Sequence, residues 1–276
     1  MADIGKFNTL KVIALTANGA YLDGGELGEI LLPNRYLAKD IELDDEVNVF
    51  IYTDSLDRLV ATTDTPYVEV GGFASLNVKQ VNKLGAFLDW GLPKDLLVPH
   101  NLQHKKMEVG KRYLVHVFLD QRTERLVASS KLDKYLDIWP AEYKAGEAVD
   151  LVVGGRTDLG TKAIINNQHW GLIFQSDIHQ KLHTGQSISG YIKRVREDGR
   201  IDLTLSRAGK GKVIDFTDKF LDYLANNDGF CPLHDKSSPE EISREFGVSK
   251  KAFKATIGHL FKQGKVVIES HGVRLK

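Results

Sequence analysis

The chain has 276 residues, 42% of them apolar and 27% charged, with 37 basic and 37 acidic side chains. That balance excludes a long disordered polymer, and no apolar run reaches the ~20 residues that span a bilayer. A single cysteine, Cys231, excludes an intrachain disulfide and a cysteine-built zinc site.

The start, MADIGKFNTLK, has neither the basic head nor the apolar core of a secretory signal. A soluble, cytoplasmic protein of several domains is the natural reading. Residues 1–65 carry 5 basic and 12 acidic side chains, net −7, whereas 66–133, 134–209 and 210–276 carry +3, +1 and +3. An acidic head with a mildly basic remainder permits nucleic-acid binding by the later segments.

In chain order, a strand is predicted over Leu10–Leu15, a glycine strand over Gly19-Ala20-Tyr21-Leu22-Asp23, and a third at Ile30-Leu31-Leu32-Pro33. A fourth spans Glu46–Tyr52; after a turn at Asp54–Asp57, Arg58-Leu59-Val60-Ala61-Thr62 closes the unit. The series then recurs as Gly85-Ala86-Phe87-Leu88-Asp89, Leu96-Leu97-Val98-Pro99, Tyr113–Leu119 and Arg125-Leu126-Val127-Ala128-Ser129, a repeat of 66 to 67 residues. A more divergent third copy runs through Gly160–Ile165, Trp170–Phe174, Gln186–Val195 and Gly199–Ser206. About five strands in ~65 residues suit a small closed barrel, which removes exposed sheet edges. The glycine that opens each second strand allows a bend or the close approach of another backbone.

Past Ser206–Lys212, a polar linker, the period changes to helical. Phe216, Phe220, Leu221 and Leu224 line one face behind Asp215 as a cap. Ser238-Pro239-Glu240-Glu241 starts a second helix carrying Ile242 and Phe246 inward, and Gly247 ends it. Ser249 caps a third helix with Phe253, Ile257, Leu260 and Phe261 inward, ended by Gly264. Lys265–Glu269 and Val273–Leu275, around Ser270-His271-Gly272, make a hairpin. Three helices and a terminal hairpin are a winged-helix pattern. The fold class is therefore mostly β with a C-terminal α+β domain, divided as 1–65, 66–133, 134–209 and 210–276.

The repeats resemble S1-type RNA-binding domains, which are OB-fold barrels: a glycine-aromatic strand, a turn, and an ending like Gly199-Arg200-Ile201-Asp202-Leu203-Thr204-Leu205-Ser206. With Asp235–Ile242 and Ser249–Lys254, the whole order resembles the bacterial conserved virulence factor B family. That resemblance implies RNA binding and a regulatory role in post-transcriptional and virulence gene expression, not catalysis. It places base-stacking positions at Tyr21, Phe87 and Lys162, at Leu32, Val98 and Phe174, and at Asn18, Leu84 and Leu159, so no copy keeps the full aromatic set. Tyr21 and Phe87 either stack bases or pack under a neighbouring module; Trp90 is a further candidate ring in the second copy.

The third copy interleaves cations and rings: Lys193, Arg194, Arg196 and Arg200 with Lys162, Trp170 and Phe174. Cations neutralise phosphates and rings stack bases. Against this, Glu197, Asp198 and Asp202 sit among them, as in an ordinary solvated hairpin. On the winged helix, Lys250, Lys251, Lys254 and Lys262, with Lys265 and Arg274, offer phosphate contacts; base-reading side chains are scarce, with Gln263 alone. The expected partner is single-stranded RNA held with low sequence specificity. The alternatives are a protein-interaction scaffold on a ribonucleoprotein and a DNA-binding winged-helix regulator; no membrane and no cofactor are implied. His179 and His183 stand four apart near Asp177 but lack a third clear metal ligand. No nucleophile elbow or phosphate loop occurs.

Overall fold

The computed structural model describes residues 2–136, 141–178, 180–206 and 210–276, with side chains from residue 216 onward in the last stretch. The middle of the predicted linker, 207–209, and His179 lie outside the described residues. The first segment forms β1 (Phe7–Thr16), β2 (Gly19–Asp23), β3 (Glu29–Pro33), β4 (Glu46–Thr53) and β5 (Leu59–Thr62). The second forms β6 (Phe73–Val81), β7 (Gly85–Asp89), β8 (Leu96–Pro99), β9 (Arg112–Asp120) and β10 (Arg125–Ser129). The third forms β11 (Ala148–Thr157), β12 (Gly160–Ile165), β13 (His169–Phe174), β14 (Ser187–Val195) and β15 (Ile201–Thr204). Each set closes into a barrel in the order first-second-third-fifth-fourth, with the third and fifth strands parallel.

Strand alternation builds each interior. Val12, Leu22, Leu32 and Ile51 fill the first barrel, and Leu151, Ala163, Ile173, Ile192 and Leu203 the third. The second strand enters each barrel at a glycine lying so close to its neighbour that a Cβ would stand 2.1 Å from the Leu32 oxygen at Gly19, 2.2 Å from that of Val98 at Gly85, and 2.1 Å from that of Ile173 at Gly160. Only a residue without a side chain fits there. The first strand of each barrel also carries a bulge at an equivalent place, between Val12 and Ala14, Val78 and Gln80, and Val153 and Gly155. The bulge adds the twist that closes so small a sheet.

The chain divides into two compact units, the first two barrels in one and the third barrel with the winged helix in the other. Within the first unit the two barrels share a core. Phe50, Tyr52 and Val60, on the outside of the first barrel, are buried with Val68, Trp90, Leu92 and Leu126 of the second. Trp90 is 2% exposed, meets Phe50 edge-on with ring centroids 5.8 Å apart, and donates its indole N–H to the Lys94 carbonyl at 2.6 Å. Sequence reading placed Trp90 among the RNA-contacting rings; burial in this junction removes it from any surface. Asp57 seals the rim, accepting from Lys94 and from Arg125.

The C-terminal domain consists of α1 (Lys210–Asn226), β16 (Phe230–Cys231), α2 (Pro239–Phe246), α3 (Lys250–Lys262), β17 (Val266–Glu269) and β18 (Gly272–Leu275), with strands in the order β16-β18-β17. Phe216, Phe220, Phe246 and Phe253 cluster at its centre, over Ile242, Ile257, Leu260 and the buried thiol of Cys231. Ser238 and Glu241 form both halves of the capping box. Two expectations are corrected. The first helix starts at Lys210, so Asp215 lies inside it and not at its cap. Phe261 is 55% exposed, not inward: eight residues beyond Phe253 the helix has turned about 80° off the buried line.

Candidate nucleic-acid interface

The barrels share a frame, so equivalent outward positions can be compared through their registers. On the face made by the first three strands, the second and third strands pair Tyr21 with Leu31, Phe87 with Leu97 and Lys162 with Leu172. One step along, Asp23 lies opposite Glu29 in the first barrel and Ile164 opposite Trp170 in the third; the same register brings Asp89 level with Asp95 in the second. The bulge residues facing these pairs are Ile13, Lys79 and Gly154.

These substitutions give the three faces different chemistry. In the second barrel Lys79 reaches from the bulge to Asp95 at 3.1 Å and Asp89 at 3.4 Å. A lysine held by two carboxylates leaves Phe87, half-buried, beside an acidic pair. In the first barrel Tyr21 stands beside Asp23 and Glu29. In the third, both carboxylates give way to Ile164 and Trp170, and the Trp170 ring lies over the bulge where a Cβ at Gly154 would meet it at 2.6 Å. The Lys162 ammonium sits 4.3 Å from the centre of that ring, a cation–π contact across the strand diagonal.

The fourth and fifth strands extend the third barrel's face. The Lys193 ammonium and the Arg196 guanidinium flank the Phe174 ring at 5.8 and 5.6 Å. Lys193 donates to Asp177 at 2.8 Å. Arg194 donates through Nε to Oδ2 of Asp202 at 2.7 Å, and Arg196 through Nε to Oδ1 at 2.9 Å. Burial works to raise the Asp202 carboxyl, but the hydrogen bonds and charges of Arg196 and Arg194 outweigh it and hold its pKa below the usual carboxylate range. Arg200 stands apart, paired with Asp198 on its own turn at 3.7 Å. The face thus combines two half-buried rings, Trp170 and Phe174, with Lys162, Lys193, Arg194 and Arg196.

The registers also correct the predicted stacking positions. Gly19 pairs with Pro33, Gly85 with Pro99 and Gly160 with Phe174. The equivalents of Phe174 are therefore Pro33 and Pro99. Leu32 and Val98 point inward and are fully buried, because a one-residue slip in a strand moves a side chain to the other face. One residue of the third face went unread, Gly154, which seats Trp170, and another, Asp202, was counted against a site. The repeat itself carried the signal, since Asp202 stands where the other copies have Val60 and Val127.

On the winged helix, Lys251, Lys254 and Lys262 lie exposed along α3 with Phe261, Lys250 is half-exposed, and Lys265 follows at the start of the hairpin. Arg274 pairs with Glu269 at 3.1 Å and covers the Phe230 ring at 4.8 Å. Gln263, the lone base-reading side chain predicted, is hydrogen-bonded to His259 at 2.9 Å. Among the described residues no group of three or more His, Cys, Asp or Glu is placed to hold a metal ion, and no helix is long and apolar enough to cross a membrane.

Comparison with known proteins agrees with this architecture. Residues 4–64 and 70–131 match the S1 domain family, and residues 218–275 match the CvfB-like winged helix domain. Both are nucleic-acid-binding domain types, not enzyme families. The chain is 31% identical to the protein YitL of Bacillus subtilis, covering 95% of this chain and 90% of that one. It is 25% identical to conserved virulence factor B of Staphylococcus epidermidis and 26% identical to that of Staphylococcus aureus, each over 99% of this chain and 94% of the relative. A crystal structure described as a multidomain protein with nucleic acid binding domains, from Streptococcus pneumoniae, is 25% identical over 99% of this chain and 98% of that one, with a TM-score of 0.39.

Proposed function

We propose, for a chain that belongs to the conserved virulence factor B family, that it binds single-stranded RNA with low sequence specificity, chiefly on the third barrel, as a cytoplasmic regulator of gene expression. The observation that carries this reading is the contrast among the three barrels. The third sets two rings among several cations on the face where the other two set carboxylate pairs, and the second barrel's cation there, Lys79, is held by its pair. Phe174, flanked by Lys193 and Arg196, and Trp170, with Lys162 over its ring, supply aromatic surface for stacking, and such surface accepts any base because every base has a π-face. The lysines of α3 add phosphate contacts without base selection. Linking the two raises the effective concentration of one strand at both. The family's name and its domain content support the regulatory role.

The test is titration of a labelled single-stranded RNA into the full chain, with single-stranded and duplex DNA of matching sequence as further arms. Phe174→Ala is expected to weaken RNA binding roughly tenfold, within the 1–3 kcal/mol that a stacked base contributes. Affinity should also fall steeply with salt. RNA binding that survives Phe174→Ala and Lys162→Glu together would move the interface off the third barrel, and selection of one duplex DNA over others would favour the DNA-regulator alternative.

A further inference from the structure

In the first two barrels the outward position on the fifth strand faces an aromatic on the fourth: Val60 opposite Tyr52, and Val127 opposite Phe118. In the third barrel the same pair is Asp202 opposite Arg194. Asp202 is 1% exposed, and both its oxygens are engaged, Oδ2 by Arg194 and Oδ1 by Arg196. The barrel does not need this carboxylate to close, because its two siblings close with valine at the same outward position. A buried ion pair of this kind is weak support for stability, since desolvation offsets the attraction. Its visible effect is on the arginines. Two long side chains that would otherwise sample many rotamers are tied, Arg194 at Nε and Arg196 at both Nε and Nη2, with Arg196 held beside the Phe174 ring at 5.6 Å.

We infer that Asp202 is a positioning residue for RNA: it spends one negative charge to lock Arg194 and Arg196 as a paired phosphate clamp next to the stacking ring. The inference rests on the RNA reading of this barrel. Planar guanidinium groups match phosphate oxygens well when their orientation is fixed in advance, and a clamp ordered before binding loses less side-chain freedom when the strand arrives.

This reading makes an expectation opposite in sign to simple charge counting. Asp202→Val, which installs the sibling residue, raises the net charge by one; if Asp202 merely neutralised the face, RNA would bind more tightly. A positioning role has the variant bind severalfold to tenfold more weakly, with a salt dependence shallower by about 0.7 for each phosphate no longer neutralised. The measurement is anisotropy titration of a labelled mixed-sequence RNA dodecamer into the full-length chain at a series of salt concentrations, with a circular-dichroism melt of each sample. Affinity equal to or tighter than wild type in a folded Asp202→Val protein overturns the inference while leaving the RNA reading intact. A wild-type chain that binds no RNA overturns both. Should Asp202→Val fail to fold, the double variant Arg194→Lys, Arg196→Lys decides: it keeps every charge but loses the forks, and unchanged affinity overturns the clamp.

Discussion

Replacing Trp90 with alanine separates packing from ligand contact at the junction of the first two barrels. The indole is almost wholly buried, faces Phe50, and bonds the Lys94 carbonyl. A side chain of this size buries roughly 150–250 Å², which at about 25 cal/mol per Å² is worth about 4–6 kcal/mol. Part of the space can collapse, so the expected loss is about 3–5 kcal/mol, or roughly 10 °C and more in the melting of a unit this size. Far-UV circular dichroism reads the melt without relying on the fluorophore that has been removed. RNA titration well below the melting temperature should give the wild-type affinity. A variant that melts within a degree or two of wild type, or one that melts normally but binds RNA tenfold more weakly, would refute the assignment of Trp90 to the junction.

His116 gives a pH signature. Burial under Phe73 and Tyr135 lowers its pKa from 6.5 to about 4. The unfolded chain therefore takes up this proton first, and stability is lost as the pH falls from about 6.5 towards 4, by up to about 3 kcal/mol. His116→Phe, which installs the ring that Phe50 provides in the first barrel, should flatten that part of the profile; an unchanged pH dependence would acquit His116. Replacing Arg194 and Arg196 together with alanine strands the buried Asp202 carboxylate. The third barrel should then lose about 1–3 kcal/mol in a denaturant titration, with most of the loss recovered on adding Asp202→Val. No loss, or no recovery, would show that the carboxylate is adequately solvated by itself.

The architecture was legible because the repeat states it three times. Glycine strands, turns and closing strands recur in order, and a barrel interior depends only on alternation. The winged helix was legible from caps, whose geometry is local: Ser238, Pro239, Glu241 and Gly247 announce α2 without any tertiary information. Two-residue β16 was not, because Phe230 and Cys231 are too few to show a period. The site was harder, since each miss turns on a face. Leu32 and Val98 are one residue from the correct positions, and in a strand that distance separates core from surface. Phe261 continued an apolar spacing that the helix had already rotated away. Trp90 continues the inward alternation of Ala86 and Leu88 one step past the strand's end, a signal that its aromatic character masked, and part of its cover, Phe50, comes from another barrel, which no local pattern reports. Asp202 was visible but was weighed by its charge, whereas its hydrogen bonds determine what it does.

The bulge on the first strand has a consequence for how such faces can change. The Trp170 ring occupies the space that a side chain at position 154 would fill; Asp95 at the same place in the second barrel is met by Lys79 from the bulge. The two sites are therefore mechanically geared. Tryptophan placed at position 95 alone would land on a lysine stem, and glycine placed at position 79 alone would leave Asp89 and Asp95 facing each other without a counter-ion. Either step by itself passes through a worse protein, so a duplicate barrel can drift for a long time without exchanging one surface chemistry for the other. Grafting the third barrel's ring platform onto the second thus calls for Lys79→Gly, Asp89→Ile and Asp95→Trp in the same molecule, a three-residue move that a library of single substitutions would never sample.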